Sequence, residues 1–404
     1  MKKFPDWFFN QSDWQEKTLG EVAEINPSNS ELPKKFYYID LESVFKGSLT
    51  KNILLEKNSA PSRAQRILKA DDVIFQMVRP YQQNNYFFEN EKDFPTVAST
   101  GYAQLRAKEK ILPKFLYFCL YENNFVNQVL FRCVGGTYPA INAEDLSQCK
   151  IKFPPLAEQK QIAEYFTHLD NAINAQETKL KSWREVKKAM LQKIFAQEYF
   201  FTQDNGDKFP AWQEKTLGEV AEITSSKRIF VSEYVSEGVP FIRGQEISDN
   251  SISSSEKFNC YISEERYNEI KNQYGVPQKN DILITAVGTI GNLYLVEEDK
   301  KFYFKDGNII WIKNFNQSIA PNYLKIFMQS FDFRNQILNF AMGGAQKALT
   351  IEKLFNAKIK IPCLEEQKKI AEYFSSLDRI IDAENKMLEN LRLMKKGLLQ
   401  KLFV

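Results

Sequence analysis

Residues Trp14–Ile25 read WQEKTLGEVAEI, and residues Trp212–Ile223 read the same twelve letters again. A second pair follows: PLAEQKQIAEYFTHLD at Pro155–Asp170 and PCLEEQKKIAEYFSSLD at Pro362–Asp378. A third pair closes each half, LQKIF at Leu191–Phe195 and LQKLF ending at Phe403. A chain written twice folds as two equivalent units related by a pseudo-two-fold axis. The segments between the repeated blocks, 26–134 and 224–342, differ almost completely. A shared frame around two divergent inserts implies one task performed at two places on two different targets.

At 404 residues the chain suits two domains with connecting elements. The division expected is a first domain over 1–154, a helix over 155–197, a linker and second domain over 198–361, and a second helix over 362–404. A hydrophobic content of 43% supports real cores. No apolar run approaches the length of a membrane span, and the start MKKFPDWFF is unlike a signal peptide, so a cytoplasmic location is expected. Five scattered cysteines without a CxxC read as reduced thiols. The net charge of +3 is modest for a nucleic-acid binder, so any basic surface must be local or supplied by a partner.

Within each copy, TLGEVAEI suits a helical turn leading into a strand. The inserts are rich in short apolar runs broken by Gly, Asn, Asp and Pro, the pattern of an α+β domain with many short strands. DILITAVGTIGNLYLV at Asp281–Val296 reads as strand, glycine turn, strand, and Asp71–Phe88 is its counterpart. A glycine pair follows in each copy, Gly135-Gly136 and Gly343-Gly344. Each copy then ends in a long helix. Ile162, Phe166, Leu169, Ile173, Gln176, Leu180, Trp183, Lys187, Met190 and Ile194 step by four and three without a slip. So do Ile370, Phe374, Leu377, Ile381, Glu384, Leu388, Leu391, Lys395, Leu398 and Leu402. That 3.5-residue period is a coiled-coil seam. Forty residues of helix would span about 60 Å. Antiparallel pairing is expected, because the first helix must deliver the chain to the second domain. The cyclic order of the repeat also expects Met1 and Val404 within about 20 Å of each other.

The TLGEV opening, variable domain, glycine pair, EQKxIAEYF exit and heptad helix ending in LQKxF, all repeated, resemble the specificity subunit of type I restriction-modification systems. The resemblance covers essentially the whole chain. It implies an α+β fold of two pseudo-two-fold-related α/β target-recognition domains separated by a long antiparallel two-helix coiled coil. It implies that each domain reads one half of a bipartite, asymmetric double-stranded DNA target. It further implies that the chain is non-catalytic, docks two DNA adenine methyltransferase subunits, and through them meets restriction and translocation subunits. S-adenosylmethionine, ATP and Mg²⁺ would then belong to those partners, with no cofactor or metal in this chain.

The residues agree with a non-enzyme. The single histidine, His168, sits beside the seam residue Leu169. No P-loop is present, and Asn26-Pro27 is followed by Ser28-Asn29, without the aromatic of an adenine-methylation motif. Gly288 to Gly291 reads as a turn, and Glu158 to Lys160 lies in the repeated helix. DNA contacts are expected from the inserts, by Arg to guanine and by Asn or Gln to adenine. In the first insert the candidates are Arg79, Gln82, Gln83, Asn84 and Asn85, a run that otherwise forms an ordinary polar turn, together with Thr137 and Tyr138. In the second they are Lys227, Arg228, Arg243, Gln245, Gln346 and Lys347. The competing reading is a coiled-coil adaptor whose two domains bind proteins instead of DNA.

Overall fold

The computed structural model describes residues 14–28, 31–89, 93–248, 258–298, 300–342 and 347–402. The chain forms two compact units. One runs to Thr178 and resumes at Asn385; the other is Lys179–Glu384. Each holds one sheet-rich domain and part of each of two long helices, Leu156–Phe195 and Leu364–Leu402. Met1 and Val404 lie outside the described residues, and so does their expected proximity.

The two domains repeat one topology. In the first, a four-stranded antiparallel sheet runs in the order Ala23–Ile25, Tyr102–Ala107, Val73–Gln76, Tyr86–Phe87. In the second, the order is Glu222–Thr224, Ile309–Lys313, Ile282–Thr285, Leu293–Leu295. The strand, turn, strand expected over Asp281–Val296 is thus present, as is its counterpart. Strands Val73–Gln76 and Ile282–Thr285 are buried at every position, which is why they read as unbroken apolar runs. A second sheet is built on a parallel pair in both domains, Lys35–Ile39 with Thr96–Ser99 and Val239–Ile242 with Tyr303–Phe304. The copies diverge at its edges. The first domain adds Ala64–Ile67 beside Thr96–Ser99, whereas the second adds Tyr234–Val235 beyond Tyr261–Ile262.

The repeated blocks meet at the joint between each domain and its helix. Gln15–Thr18 pairs antiparallel with Lys150–Phe153, and Gln213–Thr216 with Lys358–Ile361. The opening block therefore closes the domain against the strand that enters the long helix. The Glu21 carboxylate accepts the Thr18 backbone N–H at 2.8 Å and its hydroxyl at 3.0 Å. Glu219 does the same for Thr216. These bonds hold both carboxyls below the usual carboxylate range. Glycine lets the chain pass close to its neighbours between them. A Cβ on Gly20 would lie 3.2 Å from Ser147 Cβ, and one on Gly218 would lie 2.3 Å from the Phe355 ring.

Trp14 Nε1 donates to Glu158 at 3.2 Å, and Trp212 Nε1 donates to Glu366 at 2.9 Å. Burial lifts the Glu366 carboxyl above its ordinary value, and the Trp212 bond opposes that rise. The glutamine of each EQK is fully buried. Gln159 donates to the carbonyls of Lys110 and Pro154 at 3.0 and 2.8 Å and accepts the Leu112 N–H at 2.8 Å. Gln367 repeats the clamp on Ser318, Pro362 and Ala320. The letters W, T-L-G-E and E-Q thus recur because one joint is built twice.

The seam positions named from the heptads are buried or half-buried throughout. Ile162, Phe166, Leu169, Ile173, Leu180, Ile370, Phe374, Leu377 and Leu388 are buried, and Trp183, Ile381 and Leu391 are half-buried. The pairing is antiparallel. In the first unit Asp170 meets Lys395 and Glu177 meets Arg392; in the second Lys179 meets Glu384 and Lys187 meets Asp378. The polar breaks at Lys187 and Lys395 are therefore equivalent, each answered by the equivalent aspartate of the other helix. Polar groups in a seam fix register at some cost in stability.

One helix position departs from its twin: Gly397 stands where the first helix has Ala189. A Cβ there would meet nothing within 4 Å. Gly397→Ala should stabilise the chain by about 0.5–1 kcal/mol, the helix-interior cost of glycine. Thermal unfolding checks this, and a lowered midpoint would contradict it.

Candidate nucleic-acid interface

In the first domain the strand Val73–Gln76 delivers the chain into a tight turn over Pro80–Gln82. Arg79 and Gln83 both adopt left-handed backbone, with φ of 55° and 54°. Non-glycine residues hold that conformation only where their surroundings impose it. Here the Arg79 N–H donates to Pro139 O at 2.7 Å, and Val78 bridges Ala140. The segment after the glycine pair is thereby laid against the turn. The Arg79 guanidinium comes to rest over the Tyr138 ring, with Cζ 4.2 Å from its centroid. Two sequence candidates far apart in the chain thus form one surface. Tyr138, Thr137, Tyr81 and Gln82 are exposed on it, and Gln83 and Asn84 are half-buried.

Asn85 requires a correction. It is 1% exposed, its side-chain oxygen accepts the Gln76 N–H at 2.9 Å, and its carbonyl accepts the Tyr121 hydroxyl. It holds the turn and has no surface to offer a ligand. The residue that organises the loop is Gln76, which the sequence reading passed over. Its side chain accepts the Asn84 N–H at 3.0 Å and donates to Gln82 at 2.8 Å. The second domain uses the equivalent strand end. Thr285 donates its hydroxyl to Thr289 O at 2.5 Å and accepts the Asn292 N–H at 3.0 Å. A polar residue closing a buried apolar strand was the available signal, in DVIFQ and in DILIT.

The second domain lays its own segment against this loop, through the Val287–Ala348 bridge. Lys347, exposed, precedes that bridge, and Gln346 lies outside the described residues. Arg243 and Gln245 line a hollow of about 440 Å³ with Ser248, Val287, Thr289 and Asn308. Glu246 accepts from the Arg243 guanidinium at 3.1 Å, and that bond raises the arginine further above its already high value. Lys227 and Arg228 sit apart from the hollow's lining. The Lys227 ammonium lies 4.7 Å from the Tyr274 ring centroid, and Arg228 pairs with Asp306 at 2.9 Å. Arg228 is therefore less free to meet a ligand than its charge suggests.

Among the described residues no cluster of His, Cys, Asp or Glu is arranged to hold a metal ion, and no helix is long and apolar enough to cross a membrane.

Comparison with known proteins places this architecture. The family model described as the type I restriction modification DNA specificity domain matches twice, over residues 11–182 and 211–393. A Haemophilus influenzae protein named as a type I restriction enzyme specificity subunit is 30% identical over 290 residues, covering 72% of this chain and 69% of its own. The MjaVIII specificity subunit of Methanocaldococcus jannaschii is 27% identical over 314 residues, 75% of this chain and 72% of its own. Among solved structures, the type I restriction-modification S subunit from M. genitalium aligns over 98% of this chain and 97% of its own, with a TM-score of 0.60 at 16% identity. A chain from a type I R-M system solved for its assembly and conformational transition aligns over 97% and 98%, with a TM-score of 0.59 at 22% identity. With the domain present twice around the repeated joint, the chain belongs to the family of type I restriction-modification DNA specificity subunits.

Proposed function

We propose that this specificity subunit reads a bipartite, asymmetric double-stranded DNA target, one half with each domain. The carrying observation is that both domains clamp an equivalent loop by an equivalent strand end, yet display different side chains on it. Arg79, Gln82, Asn84, Thr137 and Tyr138 form the reading surface of the first domain; Arg243, Gln245 and Lys347 form that of the second. Lys227 and Arg228 are left to phosphate contact, which positions the protein without specifying sequence.

The chain itself is non-catalytic in this reading and works in the cytoplasm. Its long helices dock two DNA adenine methyltransferase subunits, and restriction and translocation subunits join through them. The surface of the helices supports two copies of one partner. Leu156 and Leu364 occupy equivalent positions and are both exposed, as do Val186 and Met394. S-adenosylmethionine, ATP and Mg²⁺ would be held by those partners.

Co-expression with the methyltransferase and mapping of methylated adenines tests the proposal. Arg79→Ala or Gln82→Ala should change one half of the methylated sequence and leave the other intact. Arg243→Ala should do the converse. Loss of affinity spread evenly over all sequences would make these residues phosphate anchors.

A net charge of +3 supports few phosphate contacts. The isolated chain should therefore bind DNA weakly and with a shallow dependence on salt, and the methyltransferase should steepen it. Tight, specific binding by the isolated chain at physiological salt would contradict this.

A further inference from the structure

The turn of the first domain is built to show hydrogen-bond donors. Gln76 Oε1 accepts the backbone N–H of Asn84, and a backbone N–H can only donate, so the orientation of the Gln76 amide is fixed. Its Nε2 then donates to Gln82 Oε1. Asn84 Oδ1 in turn accepts the backbone N–H of Lys46 at 3.1 Å. Both Gln82 and Asn84 therefore turn their oxygens to the protein and their NH₂ groups away from it. Beside them stands Arg79, which has only donors. Its Nε is buried without a hydrogen-bond partner, and no carboxylate among the described residues pairs with its guanidinium. Its plane rests on Tyr138 and its backbone is locked in the left-handed region.

We infer that this turn recognises a guanine in the half-site of the first domain, with Arg79 bonding O6 and N7. This rests on the DNA reading proposed above. In the major groove guanine alone sets two acceptors side by side. Adenine pairs its N7 acceptor with an amino donor, cytosine offers a donor, and thymine a single acceptor beside a methyl group. A surface of donors meets a like group on adenine or cytosine and leaves a buried polar atom unpaired. On guanine both prongs of the fork are satisfied. The second domain does not repeat the arrangement, since its equivalent loop carries Gly288 and Thr289 where the first has Arg79 and Pro80, and its Arg243, bonded to Glu246, lies on another segment. The inference therefore concerns the half-site of the first domain.

The test uses the chain assembled with its methyltransferase. The wild-type complex should methylate a two-part sequence with a guanine in one half. Arg79→Ala should relax that guanine position alone, with preference falling roughly 10- to 100-fold. Arg79→Lys should relax it too, because a point charge lacks the planar fork. A readout independent of any variant is a duplex carrying 7-deazaguanine at that position. It should bind the wild-type complex more weakly than the natural duplex and bind the Arg79→Ala complex equally well. An unchanged sequence in Arg79→Ala, relaxation at a base other than guanine, or equal sensitivity of both complexes to 7-deazaguanine would overturn the inference. A wild-type complex that methylates no two-part sequence would instead overturn the DNA reading beneath it.

Discussion

Gln159→Leu should lower the stability of the chain by about 3–5 kcal/mol. The side chain is 0% exposed and makes three hydrogen bonds to backbone groups. Leucine fills a similar volume but strands one N–H and two carbonyls away from water. Each unsatisfied buried group costs about 1–3 kcal/mol, less whatever water or relaxation recovers. Gln367→Leu should behave alike, since its clamp is the same. Lys160→Gln, at an exposed neighbouring position, supplies the control and should stay within about 0.5 kcal/mol. Thermal unfolding decides the matter. If both leucine variants melted like the control, the joint would not depend on these residues.

The second large effect concerns the paired helices. Leu180 and Leu388 are 4% and 5% exposed at equivalent seam positions. Aspartate at either one places a charge in an apolar seam without a partner, which costs several kcal/mol, about 3 or more after the group protonates or the helix shifts. Exposed helix positions set the comparison. Glu185→Lys should change stability little, because its side chain faces solvent. Unfolding midpoints of Leu180→Asp and Leu388→Asp equal to wild type would remove the buried seam from the account.

The frame was the legible part of this molecule. Identical blocks announce a duplicated architecture without any structural knowledge, and a 3.5-residue period held without a slip over 33 positions in each helix has few readings other than helix on helix. The reason for the identity was not legible. Gln159 owes its place to Lys110 and Leu112, more than forty residues earlier, and Glu158 owes its place to Trp14. Such contacts appear only when the chain closes on itself.

The site was legible in pieces. Arg79 and Tyr138 were each visible as candidates, but their stacking depends on the bridge between Val78 and Ala140, which no local pattern encodes. Asn84 and Asn85 look interchangeable in the sequence. Their burial differs because the turn directs one side chain to Lys46 N at the surface and the other to Gln76 N in the interior. Gln76 escaped notice because a residue at the end of a buried strand reads as part of the core.

The central claim is that two equivalent frames each hold an independent reader. Replacing residues 26–142 by a copy of residues 224–350, so that the segment after each glycine pair moves with its loop, tests it most directly. The joints at Gln15–Thr18 and Lys150–Phe153 remain in place, so the chimaera should fold and assemble with its methyltransferase. Mapping its methylated adenines should reveal a symmetric target in which the half formerly read by the second domain appears twice, in inverted orientation. Retention of the original asymmetric target, or methylation of an unrelated sequence by a folded and assembled chimaera, would contradict the account.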